Sequence, residues 1–172
     1  MKSAKLLQDV LRYLLALLLL WAAISKLARP TDFLASLYAY QLPLPRDLLK
    51  FAAVVLPWTE LLCGLLLLGR VWVETALTVT AALFVLFVLS TGQAWARHLD
   101  ISCGCFDFGI FGLDARTSGA VRFLESVGFA FIRNLALTAA AVFLLWKEFT
   151  GTGARSEAQP AGRVIAEAPR RA

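Results

Sequence analysis

Two of the three cysteines in this chain are separated by a single glycine, in the order Cys103-Gly104-Cys105. Glycine adopts positive φ angles at little cost, so Gly104 lets the backbone fold tightly enough to bring the two sulfurs together. A disulfide closed over one intervening residue departs from the preferred geometry, and such strain makes the bond easier to reduce. The spacing therefore favours a pair that interconverts between dithiol and disulfide over a structural crosslink.

Two other interpretations of this cysteine pair stay open. The cysteines could be free thiols in a turn, or half of a metal site that a partner completes. The nearby carboxylates of Asp100 and Asp107 oppose thiolate formation unless Arg97 or protonated His98 offsets them. A closed zinc site needs four ligands, and His98 is the one further ligand nearby in sequence, so we predict no metal. The third cysteine, at position 63, lies in an apolar run and is predicted to pack as a small apolar side chain.

A second group of residues places charge inside apolar runs. Glu60 follows Pro57 by three residues, and Arg133-Asn134 lie within another run. A charge at the bilayer centre costs at least about 2.5–3.5 kcal/mol, so we predict that Glu60 and Arg133 pair inside a helix bundle. Pro57 cannot donate a backbone hydrogen bond one turn back, which leaves a free acceptor near Glu60. Lys26, at the end of the first run, either joins this cluster or extends to the interface. The cluster is either a polar functional site or a buried pair that specifies how helices meet.

The composition indicates the elements that must position these residues. The chain is 59% hydrophobic and 17% charged over 172 residues, against about 45–50% and 25% in soluble domains. Four apolar runs, at 8–27, 48–69, 71–91 and 127–146, reach the length of about 20 residues that a membrane-spanning helix needs. We predict an all-α integral membrane bundle of four transmembrane helices, the second and third forming a hairpin turned by Gly69 and Arg70. Between the first two, residues 31–46 predict a short interfacial helix that ends before Pro43 and Pro45.

The domain boundaries follow from the same pattern. Residues 1–148 are predicted to form the transmembrane domain, with the cysteine-bearing loop at about 92–126. Residues 149–172 are rich in Gly, Ala, Pro and Arg and are predicted to be a disordered tail. The first run also has features of a cleavable signal peptide, including Lys2, Lys5, Ala23 and Ser25. We favour a retained helix, because a three-span remainder would separate the termini and because the residues after Ser25 fit the end of a continuing helix.

The charge excludes one function class and hardly decides orientation. The net charge is +5 and the pI about 9.4, but the basic residues stand at the ends of apolar runs, as in membrane proteins, so we predict no nucleic-acid binding. Nine Lys and Arg residues lie on the side of the termini and seven on the side of the cysteines. The sequence has no phosphate-binding loop, no dinucleotide-binding turn and no serine nucleophile elbow.

With these residues assembled, the chain resembles the MauE family of methylamine-utilisation membrane proteins, within the wider DoxX-like group of four-helix membrane proteins. The resemblance covers most of residues 8–146. This chain has Asp107 where the family commonly has glycine after the cysteine motif. The motifs that carry the resemblance stand in one order along the chain: Ser25-Lys26-Leu27, Pro30 with Phe33, Leu56-Pro57, Glu60-Leu61, Cys103-Gly104-Cys105-Phe106 and Arg133-Asn134.

The resemblance implies a location, a partner and a role. It implies a multi-pass protein of the cytoplasmic membrane, with both termini in the cytoplasm and the cysteine loop outside. The implied role is accessory, in the maturation of methylamine dehydrogenase, whose small subunit is rich in disulfides. The implied partner is thus a periplasmic or secreted thiol protein, with Cys103 and Cys105 as the exchanging pair and Gly104, Phe106 and the charged cluster in support.

Three function classes are compared. The leading hypothesis is a thiol–disulfide oxidoreductase whose electrons leave through the membrane to a quinone, although the sequence identifies no bound cofactor. An aromatic lining for such a quinone could come from Trp58 and Phe131. The alternative is a non-catalytic scaffold or assembly factor for the same kind of partner. A transporter with Glu60 and Arg133 in a proton path is disfavoured, because the sequence lacks inverted repeats.

Overall fold

Five α-helices make up the part of the chain that the computed structural model describes, residues 2–99 and 126–157, with side chains over 6–99 and 126–150. The prediction of an all-α protein is confirmed. The helices are α1 (Lys2–Ala28), α2 (Pro30–Ala39), α3 (Arg46–Gly69), α4 (Val73–Ala96) and α5 (Val127–Glu157).

Four of these helices are long and apolar enough to cross a membrane. The candidate spans are Leu6–Ala28, Arg46–Gly69, Val73–Ala96 and Val127–Thr150, which confirms the four predicted runs. Large apolar side chains cover the outside of the bundle: Leu17, Phe51, Leu89 and Ile132 are each more than half exposed. Such a surface suits a hydrocarbon environment, and the chain is a multi-pass membrane protein.

The bundle is built from two closely packed helix pairs, α1 with α3 and α4 with α5. Gly64 of α3 explains how closely the first pair approaches. A Cβ atom at Gly64 would lie 2.9 Å from Cγ of Leu20 and 3.2 Å from the backbone oxygen of Ala16. Glycine at this contact therefore lets the two backbones come together, as small residues do between membrane helices. The shared core combines residues from four helices: Leu15, Leu19, Cys63, Leu67, Leu77, Phe84 and Leu144.

The predicted hairpin joins α3 to α4, but its turn is longer than predicted. α3 ends at Gly69, and α4 begins only at Val73. Arg70 and Trp72 both adopt left-handed backbone angles, with φ of 58° and 47°. A left-handed backbone conformation costs roughly 1–2 kcal/mol of conformational free energy at a residue other than glycine. The turn thus consists of Arg70, Val71 and Trp72, whereas the prediction was Gly69 and Arg70.

The predicted short helix between the first two spans is present as α2. It starts at Pro30, and the single residue Arg29 separates it from the end of α1. Proline suits the first turn of a helix because no N–H is needed there. Phe33 and Leu37 pack against Ala53 of α3. The helix ends at Ala39, and Gln41 reverses the chain with a φ of 48°. Its location at the membrane interface stays a prediction.

Two boundaries differ from the sequence prediction. α4 continues to Ala96, so the predicted start of the cysteine-bearing loop at 92 falls inside this helix. The helix continues because Thr91 donates its hydroxyl to the backbone oxygen of Phe87 and because Ala94 is fully buried. α5 continues to Glu157, into the start of the predicted disordered tail. The rest of that tail, 158–172, lies outside the described residues.

Candidate functional site

The predicted catalytic residues Cys103 and Cys105, with Gly104 and Phe106, lie outside the described residues, so their roles stay predictions. The structure describes the other predicted site residues: Lys26 on α1, Pro57 and Glu60 on α3, and Arg133 and Asn134 on α5. It also describes both ends of the segment that carries the cysteines.

A buried ion pair joins α1 to α3. Lys26 donates a hydrogen bond from Nζ to Oε1 of Glu60, and the two residues are only 3% and 1% exposed. The predicted direct partner of Glu60 was Arg133, and that pairing is wrong. α1, not α5, packs along α3 at this level, and a lysine side chain at a helix end points back towards the amino terminus, here into the bundle. The sequence left open whether Lys26 joins the polar cluster or extends to the interface. In the structure its side chain joins the cluster.

Two aromatic rings surround the ammonium group of Lys26. Its Nζ lies 5.1 Å from the ring centroid of Phe33 on α2 and 4.7 Å from that of Phe87 on α4. Cation–π attraction therefore adds to the ion pair. Charges in such a low-dielectric site interact more strongly than charges on the surface.

Arg133 and Asn134 border the same site without being the direct partner of Glu60. Together with Lys26, Glu60 and apolar neighbours they line a cavity of about 20 Å³, which is large enough for one water molecule. Within residues 6–99 and 126–150, neither Oε2 of Glu60 nor Nδ2 of Asn134 has a hydrogen-bond partner. One is an acceptor and the other a donor, which are the two kinds of partner that a buried water molecule needs. The cavity can therefore hold a water molecule inside the bundle.

Pro57 belongs to the inner face of α3. It is almost fully buried, as are Ala53 and Glu60 on the same face. The helix runs through Pro57 without ending. Because Pro57 has no N–H, the carbonyl of Ala53 loses its usual helical donor, as the sequence predicted.

A second polar cluster, at the opposite end of α1, was missed by the sequence reasoning. Arg70 donates to Oδ1 of Asp9 at 2.8 Å, and Nη1 of Arg12 lies 3.2 Å from the same oxygen. Arg12 is only 5% exposed. The spacing of Asp9 and Arg12, three residues apart on one helix face, is the signal that could have found this cluster.

The ends of the cysteine-bearing segment are held together at the same end of the bundle as α2. Leu99 after α4 and Val127 at the start of α5 pack in one cluster with Tyr40. Arg97 donates to the side-chain oxygen of Gln41 at 2.9 Å and to its backbone oxygen at 3.3 Å. These contacts fix where the segment leaves and re-enters the bundle.

The structure describes both aromatic residues that were suggested for a quinone lining. Trp58 is 54% exposed on α3. Phe131 packs on Trp95, with ring centroids 5.5 Å apart, and lies against Gly92. Their part in a quinone site stays a prediction.

Comparison with known proteins gives one family and one curated relative. No solved structure matches the chain. The chain is similar to the methylamine utilization protein MauE of Methylophilus methylotrophus, 41% identical over 91 residues. That alignment covers 52% of this chain and 47% of the relative, so the chain matches about half the length of that protein. The wider DoxX-like grouping stays a prediction. The family model of methylamine utilisation protein MauE matches residues 4–147, which include the first three spans, the cysteine motif and all but the last three residues of the fourth span. The chain belongs to the MauE family.

Proposed function

We propose that this chain is a membrane accessory protein of methylamine utilisation that exchanges thiols and disulfides with a secreted partner through Cys103 and Cys105. The observation that carries the proposal is the pair of cysteines separated by one glycine, on the segment between α4 and α5 of a MauE-family protein. The printed name of the relative in Methylophilus methylotrophus supports the pathway. The family match supports an accessory role.

The proposed exchange balances as a two-electron transfer. A thiolate of the partner attacks the Cys103–Cys105 disulfide, which forms a mixed disulfide and releases one cysteine thiolate. A second partner thiolate then resolves the mixed disulfide, so the partner gains a disulfide and the pair becomes a dithiol. The partner's two thiols lose two protons and two electrons in total. A membrane quinone is the proposed acceptor: it takes two electrons and two protons to become a quinol, which restores the disulfide.

The described structure supports this role by offering a rigid frame for the cysteine-bearing segment. Leu99 and Val127 pack together with Tyr40, so the segment starts and ends at one place. Cys63 is unsuited to exchange, because it is not in a disulfide and is 3% exposed in the core. It lies seventeen residues into α3 from Arg46, which is about 25 Å along the helix axis. The exchange is therefore assigned to the other two cysteines.

The proposed partner is the small subunit of methylamine dehydrogenase, and the proposed location is the cytoplasmic membrane. Both termini would lie in the cytoplasm and the cysteines outside, where disulfides persist. An even number of spans agrees with termini on one side. The count of nine Lys and Arg residues on the side of the termini against seven on the other side hardly decides the orientation, so the proposal rests mainly on the family.

A second candidate function is a non-catalytic scaffold that holds the same partner at the membrane. The observation that favours it is the tightly packed frame. The Lys26–Glu60 pair and the close contact at Gly64 fix α1 against α3, and neither depends on the cysteines. In this alternative Cys103 and Cys105 only brace their segment.

Trapping of a mixed disulfide separates the two functions. Cys103→Ser and Cys105→Ser are each expressed in cells that make the dehydrogenase, alkylated, and analysed without reductant. In the exchange mechanism the lone cysteine of one single variant can still attack a disulfide of the small subunit, which is the reverse of the exchange step. Without its neighbouring cysteine it cannot complete the reaction, so a reductant-sensitive adduct that contains the small subunit accumulates. The double variant must lack the adduct, and Cys63→Ser, the matched control, must resemble the wild type. If no adduct forms and all variants mature the dehydrogenase at the native rate, the chain is a scaffold.

A further inference from the structure

A cavity between α2, α3 and α4 is not used by the proposed exchange. Its volume is about 190 Å³, somewhat larger than an engineered apolar cavity of about 150 Å³ that stays dry and binds benzene. Its walls include Phe33 and Leu37 of α2, Leu56 of α3 and Phe87 of α4. These residues come from three helices, so the cavity is a feature of the fold rather than of one side chain.

The lining of this cavity is apolar. None of the described residues around it is charged, and its polar members are Tyr40, Ser90 and Thr91. The hydroxyl of Thr91 is already engaged, because it donates to the backbone oxygen of Phe87 at 2.6 Å. Water in such a cavity would find few partners, and a ligand with several polar groups would leave them unpaired. The lining therefore favours a hydrocarbon ligand over a polar one.

The charged site next to the cavity is screened from it. Phe33 and Phe87 line the cavity, and the same two rings contact the ammonium of Lys26. The aromatic side chains therefore separate the ion pair from the apolar space. A ligand in the cavity would meet ring carbon rather than charge.

The cavity is bordered by side chains that face the surroundings of the bundle. Leu86 of α4 is 53% exposed, and Leu44, before α3, is 44% exposed. Both are on the outside of a four-span membrane protein, where lipid hydrocarbon is the solvent. An occupant can enter sideways from the bilayer without crossing water.

We propose that this cavity binds the end of a hydrocarbon chain of a membrane lipid. An acyl chain of a phospholipid and the isoprenoid chain of a membrane alcohol share this chemistry. The bound chain fills the space between α2 and the rest of the bundle and packs on the rings that surround Lys26. This site does not depend on the exchange at the cysteines, so either proposal can fail alone.

The test is photo-crosslinking of the full chain in lipid nanodiscs. The probe is a phosphatidylcholine with a diazirine near the end of one acyl chain, and labelled peptides are mapped by mass spectrometry. We expect labelling concentrated on residues of the cavity wall, including Leu56 and Ser90. Ala52→Phe, which adds a ring to the wall, should lower that labelling at least fivefold. Ala82→Phe, on the exposed side of α4, is the matched control and should leave it unchanged.

A second wall variant and a competition measurement complete the experiment. Leu56→Ala enlarges the cavity and should raise the labelling, which covers the case in which Ala52→Phe does not fold. Competition with excess unlabelled phosphatidylcholine or with a long isoprenoid alcohol identifies the source of the chain. Labelling spread evenly over outward-facing residues such as Phe51 and Leu89, and insensitive to both wall variants, would overturn the proposal.

Discussion

The ammonium group of Lys26 is hydrogen-bonded to the carboxylate of Glu60 deep inside the bundle. Glu60 lies fourteen residues after Arg46 and ten before Arg70, about 21 and 15 Å along α3. Both side chains are almost fully buried. The pair therefore ties the end of α1 to the middle of α3, with Phe33 and Phe87 around the ammonium.

Removing one partner of this ion pair should cost more than removing both. Lys26→Met or Glu60→Gln alone leaves an uncompensated polar or charged group, and we expect a loss of about 3–5 kcal/mol in the free energy of unfolding. The double variant should recover most of that loss. The measurement is a double-mutant cycle in denaturing-detergent titrations. Simple additivity would contradict direct pairing.

A double-mutant cycle that combines variants of Glu60 and Arg133 is the matched comparison for the cycle of Lys26 and Glu60. Arg133 lines the same cavity, but the carboxylate of Glu60 bonds Lys26. We therefore expect a smaller coupling between Glu60→Gln and Arg133→Met than between Glu60→Gln and Lys26→Met. An equal or larger coupling would show that Arg133 is the principal partner after all.

A methyl group at Gly64 should separate α1 from α3. Gly64→Ala places Cβ 2.9 Å from Cγ of Leu20 and close to the backbone oxygen of Ala16, so we expect a loss of about 1–3 kcal/mol of stability. Gly128→Ala is the control, because among the described residues its Cβ would meet only the indole of Trp95, at 3.6 Å from Nε1 and 3.9 Å from Cδ1. That variant should be neutral or slightly stabilising. Equal effects on the midpoint of thermal unfolding would refute the tight α1–α3 contact.

The stability that the cluster around Asp9 contributes should depend more on the carboxylate of Asp9 than on its exposed partner, Arg70. Asp9→Asn removes the negative charge beside the buried guanidinium of Arg12, and we expect a loss of about 1–3 kcal/mol. Arg70 is 58% exposed in its side chain, so Arg70→Gln should cost less than about 1 kcal/mol. Unfolding titrations compare the two. A larger effect of Arg70→Gln would contradict this assignment.

Labelling with a membrane-impermeant maleimide tests the proposed orientation. In intact cells, after mild reduction, Cys103 and Cys105 should react with the reagent from outside. A cysteine introduced near either terminus, as Ser3→Cys or Ser156→Cys in a variant lacking Cys103 and Cys105, should react only after the cells are opened. The reverse pattern would invert the topology.

The sequence predicted the spans well because a membrane helix needs one long apolar run, which is a local property. Which helices are neighbours is not local. Glu60 was correctly expected to need a buried cation, but the choice between Lys26 and Arg133 depends on α1, rather than α5, lying against α3 at that level. The end of α4 was predicted as loop because the apolar run of the third span was taken to end at residue 91. Thr91 satisfies its hydroxyl within the helix, and Ala94 is buried against another element, which only the tertiary structure shows.

The disulfide state of the dehydrogenase small subunit tests the exchange mechanism most directly. Cells that make the wild-type chain, Cys103→Ser/Cys105→Ser or Cys63→Ser are compared by alkylation of the secreted subunit and mass spectrometry of its cysteines, with levels of each membrane variant confirmed in the same cells. We expect reduced or incompletely oxidised small subunit with the double variant and fully oxidised subunit with Cys63→Ser. Full oxidation at the wild-type rate with the double variant would contradict thiol–disulfide exchange by this protein.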